Sequence, residues 1–107
     1  MAHFLCRLSG PRPSFPMDMT PHEAELMGAH AAYWSGKAEE GVAVVFGPVM
    51  DPAGVWGLGI TETPDAAATQ RLLDADPVIL AGAGFSWSVA PMPQVGLRRA
   101  QARDLVS

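Results

Sequence analysis

The chain has 107 residues, a formal net charge of −4, 49% hydrophobic and 17% charged residues. That is one domain's length with enough apolar content for a packed core, which excludes two domains and general disorder. The acidic balance also excludes a general nucleic-acid or anionic-membrane binder, because both need a basic footprint; Arg98, Arg99 and Arg103 lie near Asp104 and read as a solvated end.

A single cysteine, Cys6, allows no intrachain disulfide and fits a reducing compartment. It lies in an apolar, strand-like segment, so it reads as packing rather than as a nucleophile. Met1 to Leu8 is too short and too mixed for a secretory signal. No apolar run approaches the roughly 18 residues of a membrane span. A cytoplasmic location is expected.

In chain order, His3 to Leu8 reads as a first strand. Alternation puts Phe4, Cys6 and Leu8 on one face and His3, Leu5 and Arg7 on the other. Ser9 to Met19 carries Pro11, Pro13 and Pro16 beside Gly10 and must be a loop, long enough to suggest a function. Thr20-Pro21-His22-Glu23 is a helix start: a capping threonine, a proline in the first turn and a glutamate to complete a capping box. The helix should run to about Glu40, stop at Gly41, and turn Leu26, Met27, His30, Tyr33, Trp34 and Ala38 inward.

Val42 to Phe46 reads as a second strand that Gly47-Pro48 bends or ends. Asp51-Pro52-Ala53-Gly54 is the turn of a hairpin into a third strand, Val55 to Glu62. Gly57 and Gly59 bare one face of that strand, as a bulge would, or a floor approached by a ligand or a partner's side chain. Thr63-Pro64-Asp65 opens a second helix, which must end before Asp76-Pro77. Val78 to Ala81 is a short turn. Phe85, Trp87 and Val89 alternate with Ser86 and Ser88 in a last strand ending at Ala90. Residues from Pro91 onward read as a tail, helical around Leu97 to Leu105.

The order βαββαβ is that of a ferredoxin-like α+β fold: an antiparallel sheet with both helices on one face. The other face is left bare, and a second copy of the chain is its simplest cover.

The residue that stands out is His30, an imidazole on an otherwise apolar helical stripe. A buried imidazole needs hydrogen-bond partners, and its type is suited to proton transfer near neutral pH. Either it is a satisfied core histidine or it is the working group of a pocket. Metal and nucleotide motifs do not stand out. His22 and His30 are eight residues apart, and Gly57-Leu58-Gly59 and Gly82-Ala83-Gly84 open no long helix.

The segments His3-Phe4-Leu5-Cys6-Arg7-Leu8, Met19-Thr20-Pro21-His22-Glu23, His30-Ala31-Ala32-Tyr33-Trp34, Val45-Phe46-Gly47-Pro48-Val49, Asp51-Pro52-Ala53-Gly54 and Ala75-Asp76-Pro77, in this order and spacing, resemble the YCII-related domain family. The resemblance spans about residues 1–93 and leaves 94–107 as a C-terminal tail. It implies a ferredoxin-like fold that pairs into a dimeric α+β barrel, with His30 and Asp76 as an active-site pair. An aspartate bonded to one imidazole nitrogen would fix the tautomer and free the other nitrogen as base or acid; alternatively Asp76 merely caps or turns the chain.

The expectation is thus a small, homodimeric, cofactor-independent enzyme of lyase or isomerase type, binding a small molecule and no metal, nucleic acid or membrane. His30 and Asp76 would be catalytic. Arg7 would meet an anionic group of the substrate or pair with a surface carboxylate, and Tyr33 and Trp34 would wall the pocket or fill the core. The alternative is a binding or interaction module of the same fold, without turnover.

Overall fold

The structure is a computed structural model that describes residues 1–98. Its elements are β1 (Ala2–Ser9), α1 (Pro21–Glu39), β2 (Ala43–Val49), β3 (Trp56–Thr63), α2 (Ala66–Asp74), α3 (Pro77–Leu80) and β4 (Ser86–Met92). The four strands form one antiparallel sheet in the order β2-β3-β1-β4, the ferredoxin-like arrangement.

Alternation along β1 sets the inside. Phe4, Cys6 and Leu8 are buried beneath the helices, and Arg7 is exposed on the opposite face. Cys6 is sealed in the core, and burial pushes its thiol up to about 11, an inert packing role. Helix α1 begins on a complete capping box: the Thr20 side chain accepts from the Glu23 N–H, and the Glu23 carboxylate accepts from the Thr20 N–H. It ends where Gly41 turns to a φ of +80°, a conformation glycine adopts without strain.

Helix and sheet approach closely at Trp34 over Gly59. A Cβ on Gly59 would lie 2.7 Å from the Trp34 ring, so only a glycine admits the indole. The side chain that the bare face of β3 receives is therefore the chain's own, and the register shift in the sheet lies in β2, between Ala43 and Val45. Trp34 joins Phe4, Cys6, Ala43 and Leu73 in one core cluster, while Leu8, Val78 and Phe85 form a second beside it. Thr69 of α2 bonds Thr61 and Thr63 of β3 through buried hydroxyls, at 2.9 and 2.8 Å.

Several boundaries differ from the sequence expectation. Strand β2 continues through Gly47-Pro48 to Val49, because an edge strand tolerates a proline whose missing N–H faces outward. By the same reasoning β4, the other edge, passes Pro91 and ends at Met92. Helix α2 starts two residues later than Thr63-Pro64 suggests: Asp65 is its cap, accepting from the Ala68 N–H, while the Thr63 hydroxyl donates to the Asp65 carbonyl. The short turn after Asp76 is a turn of helix, α3. Ala38 is exposed, on the outer side of α1. Residues 95–98 carry no regular structure, and the rest of the helix suggested around 97–105 lies outside the described residues, as do Arg99, Arg103 and Asp104.

Candidate functional site

The site is assembled where α1 crosses the junction of α2 and α3. Helix α2 stops at Asp74, and Asp76, in extended conformation, then caps α3: its Oδ1 accepts from the Val78 N–H at 3.0 Å, and Pro77 fills the first helical position. This fixes the carboxyl group in a place it shares with α1. Its Oδ2 lies 2.7 Å from His30 Nδ1 and accepts from Trp34 Nε1 at 2.9 Å. His30 and Trp34 are four residues apart on one helical face, so a single carboxylate oxygen reaches both. Asp76 is fully buried, and three donors converge on its two oxygens, the pattern an acceptor-only carboxylate satisfies.

The consequence falls on the imidazole. A carboxylate at Nδ1 keeps the ring proton there and turns Nε2 into the acceptor. Nε2 makes no hydrogen bond among the described residues, and His30 retains 14% side-chain exposure. Its ring forms part of the wall of a cavity of about 330 Å³.

That cavity lies between α1, the proline-rich loop and the sheet. Phe15, Pro16 and Met19 come from the loop, Met27, His30 and Trp34 from α1, Phe46 from β2, and Phe85 and Trp87 from the last strand and its approach. Rings meet through it: Trp34 and Trp87 are tilted to each other 5.4 Å apart between centroids, His30 and Trp87 are tilted at 6.2 Å, and Phe15 meets Phe85 edge-on at 5.2 Å. His30 is the one histidine of the lining, which holds no aspartate, glutamate, lysine or arginine.

The loop over the cavity is clasped by Arg12. Its guanidinium donates to both oxygens of Glu23, at 2.7 and 2.8 Å, and to Asp18, whose carboxylate also accepts from Ser14. Hydrogen bonds from Arg12 are the main cause holding both Glu23 and Asp18 down at about 2. The capping glutamate of α1 thereby also ties down the loop.

Of the residues singled out from sequence, the structure brings His30, Asp76 and Trp34 together. Tyr33 points elsewhere: its hydroxyl donates to the Leu72 carbonyl at 2.7 Å, and burial, followed by the negative charges of Asp76 and Glu40, raises its pKa. Arg7 lies on the sheet face away from the helices, its guanidinium 4.3 Å over the Trp56 ring, outside the lining of this cavity. It borders a second, shallower depression with Ser9, Arg12 and Trp56. Sequence reasoning passed over Arg12, Phe15, Phe46 and Trp87. The aromatic alternation at 85–89 was the one signal for Trp87; nothing local announced Arg12.

The model of the YCII-related domain matches residues 4–93. This chain belongs to the YCII-related domain family. The match covers all four strands, both long helices and the Asp-Pro step, to within two residues of the start of β1. The family resemblance read from short segments is thus shown over the whole fold. A comparison with curated proteins gave no match. No group of acidic, cysteine and histidine side chains that could hold a metal ion occurs among the described residues, and no described helix of this YCII-related chain is long and apolar enough to cross a membrane.

Proposed function

We propose that this YCII-related protein is a small, cofactor-independent enzyme of lyase or isomerase type, acting on a small organic molecule held in the aromatic cavity. The observation that carries the reading is the 2.7 Å contact between His30 Nδ1 and Asp76 Oδ2, on a ring that forms the cavity wall. Nε2 takes a proton from a carbon or hydroxyl of the substrate, and Asp76 stabilises the imidazolium that forms. The same proton then returns to a different atom of the substrate, an isomerisation, or to a departing group, an elimination. Either way His30 ends as it began.

The experiment is proton exchange in D₂O, followed by ¹H NMR, with a panel of phenols, enolisable ketones and hydroxy acids. Wild-type protein is expected to exchange a C–H of at least one compound. His30→Gln, which keeps a polar side chain of similar reach, is expected to bind that compound and lose at least about 100-fold in exchange rate. Equal exchange by the variant would refute the reading, and binding without any exchange by wild type would establish the binding-module alternative. A wall that is apolar apart from His30 favours that second reading.

We also place the protein in the cytoplasm as a homodimer. No described helix covers the outer sheet face, where Leu5, Leu58 and Ile60 lie on neighbouring strands and Val45 is 49% exposed. A second copy would cover it; a monomer in sedimentation at micromolar concentration would remove the dimer.

A further inference from the structure

The side chains around the cavity leave one polar atom free. The lining holds no serine, threonine, asparagine, glutamine or tyrosine, and its side-chain nitrogens belong to His30 and three indoles. The Trp34 N–H donates to Asp76, and the Trp56 N–H donates to Asp51 at 3.2 Å. The Trp87 N–H is sealed off from anything the cavity holds. His30 Nδ1 is engaged by Asp76. That leaves His30 Nε2, which has no partner among the described residues. It keeps accessible surface, unlike the sealed and partnerless Trp87 Nε1 and His3 Nε2.

This nitrogen accepts and does not donate, as long as Asp76 keeps the ring proton on Nδ1. A ligand's polar group must therefore bring the proton. A hydroxyl does so; an ether or a ketone would set one lone pair against another. An ionised carboxylate or phosphate fails twice. It too only accepts, and it would give up its hydration with no permanent cation to meet it. The walls are largely rings, Phe15, Trp34, Phe46, Phe85 and Trp87, against which a flat, uncharged ring packs. The volume of about 330 Å³ is roughly twice the ~150 Å³ that encloses a benzene, which suits one or two fused rings with small substituents.

We infer that the ligand is an uncharged phenol or enol carried on one or two fused rings, whose hydroxyl donates to His30 Nε2. The inference names the class on which His30 acts and rests on the proposed acid–base role for turnover, not for binding. In turnover the O–H bond breaks and its proton passes to Nε2. The oxygen's electron pair then forms a carbonyl, and the displaced C=C pair takes the proton back from the imidazolium at the adjacent carbon. The product is the keto tautomer, and no other reactant is consumed.

The test is ¹H–¹⁵N NMR of the full chain, at a pH where the His30 ring and 2-naphthol are both neutral, with three probes of one ring system: 2-naphthol, 2-methoxynaphthalene and 2-naphthoate. The naphthol is expected to bind about five- to ten-fold tighter than the methyl ether, which lacks only the donor, and at least about ten-fold tighter than the naphthoate. It should also move the His30 Nε2 signal upfield, as the methyl ether should not. In His30→Leu the naphthol should fall to the affinity of the ether, with the ether itself unchanged; the three indole N–H signals report that the variant is folded, and the comparison of probes on wild type stands without it. A methyl ether or a naphthoate that binds wild type as tightly as the naphthol, or a naphthol that leaves the Nε2 signal in place, overturns the inference. The acid–base reading fails separately. Naphthol bound at Nε2 with no exchange of its ring C–H in D₂O removes turnover and keeps the ligand class, whereas C–H exchange on a carboxylate with no binding of naphthol removes the class and keeps turnover.

Discussion

Asp76 divides its two oxygens between structure and site. Oδ1 holds the first turn of α3 through the Val78 N–H, and Oδ2 holds His30 and Trp34. An amide in its place would set an NH₂ group against at least one of those three donors. Asp76→Asn is therefore expected to cost about 2–3 kcal/mol of folding free energy, read as a lower urea midpoint with an unchanged slope. A midpoint within error of wild type would mean that the three contacts carry little. The residue was legible in the sequence as a helix-ending Asp-Pro, but its partner was not. Forty-six positions separate it from His30, and no periodicity spans that distance; only the family resemblance joined the two. Trp87 was less legible still, because alternation gives the face of a strand and not what lies across from it.

At the scale of elements, the proline-rich loop and α1 act together through Arg12. Because Arg12 holds Glu23 and Asp18 at about 2, below their ordinary values of 4.5 and 3.8, the clasp stabilises the fold in full above about pH 4.5. That contribution declines as the pH falls toward 2, when both carboxylates take up protons. Amide hydrogen exchange over residues 12–19 is thus expected to be slow and flat from pH 7 to 4.5, after correction for intrinsic rates, and to speed up below it. Arg12→Ala should show the fast exchange at every pH. A wild-type loop that exchanges as fast as the variant would remove the clasp. The capping box was readable because its two partners are three residues apart, whereas Arg12 meets Glu23 from eleven residues away, across a loop with no period. The late start of α2 has a similar cause: Thr63 and Asp65 are both good caps, and the Thr63 hydroxyl is already committed to the Asp65 carbonyl. Edge strands extended through Pro48 and Pro91 because prolines break central strands and spare outer ones.

For the whole molecule, the sheet order could be read from the succession of elements, since few antiparallel arrangements accommodate βαββαβ. The cavity could not. It forms where a loop, a helix and all four strands meet, and Trp34, settled over Gly59, is part of its wall. The same fold that buries Asp76 leaves the far nitrogen of His30 without a partner among the described residues, and the functional proposal depends on which nitrogen carries the proton. Long-range ¹H–¹⁵N NMR of the His30 ring in the free protein, at a pH where the ring is neutral, reads this directly. The account predicts a protonated Nδ1 and a bare Nε2, with Asp76→Asn shifting the balance toward the other tautomer. A ring protonated on Nε2 in the wild-type protein, with Nδ1 bare, would contradict it.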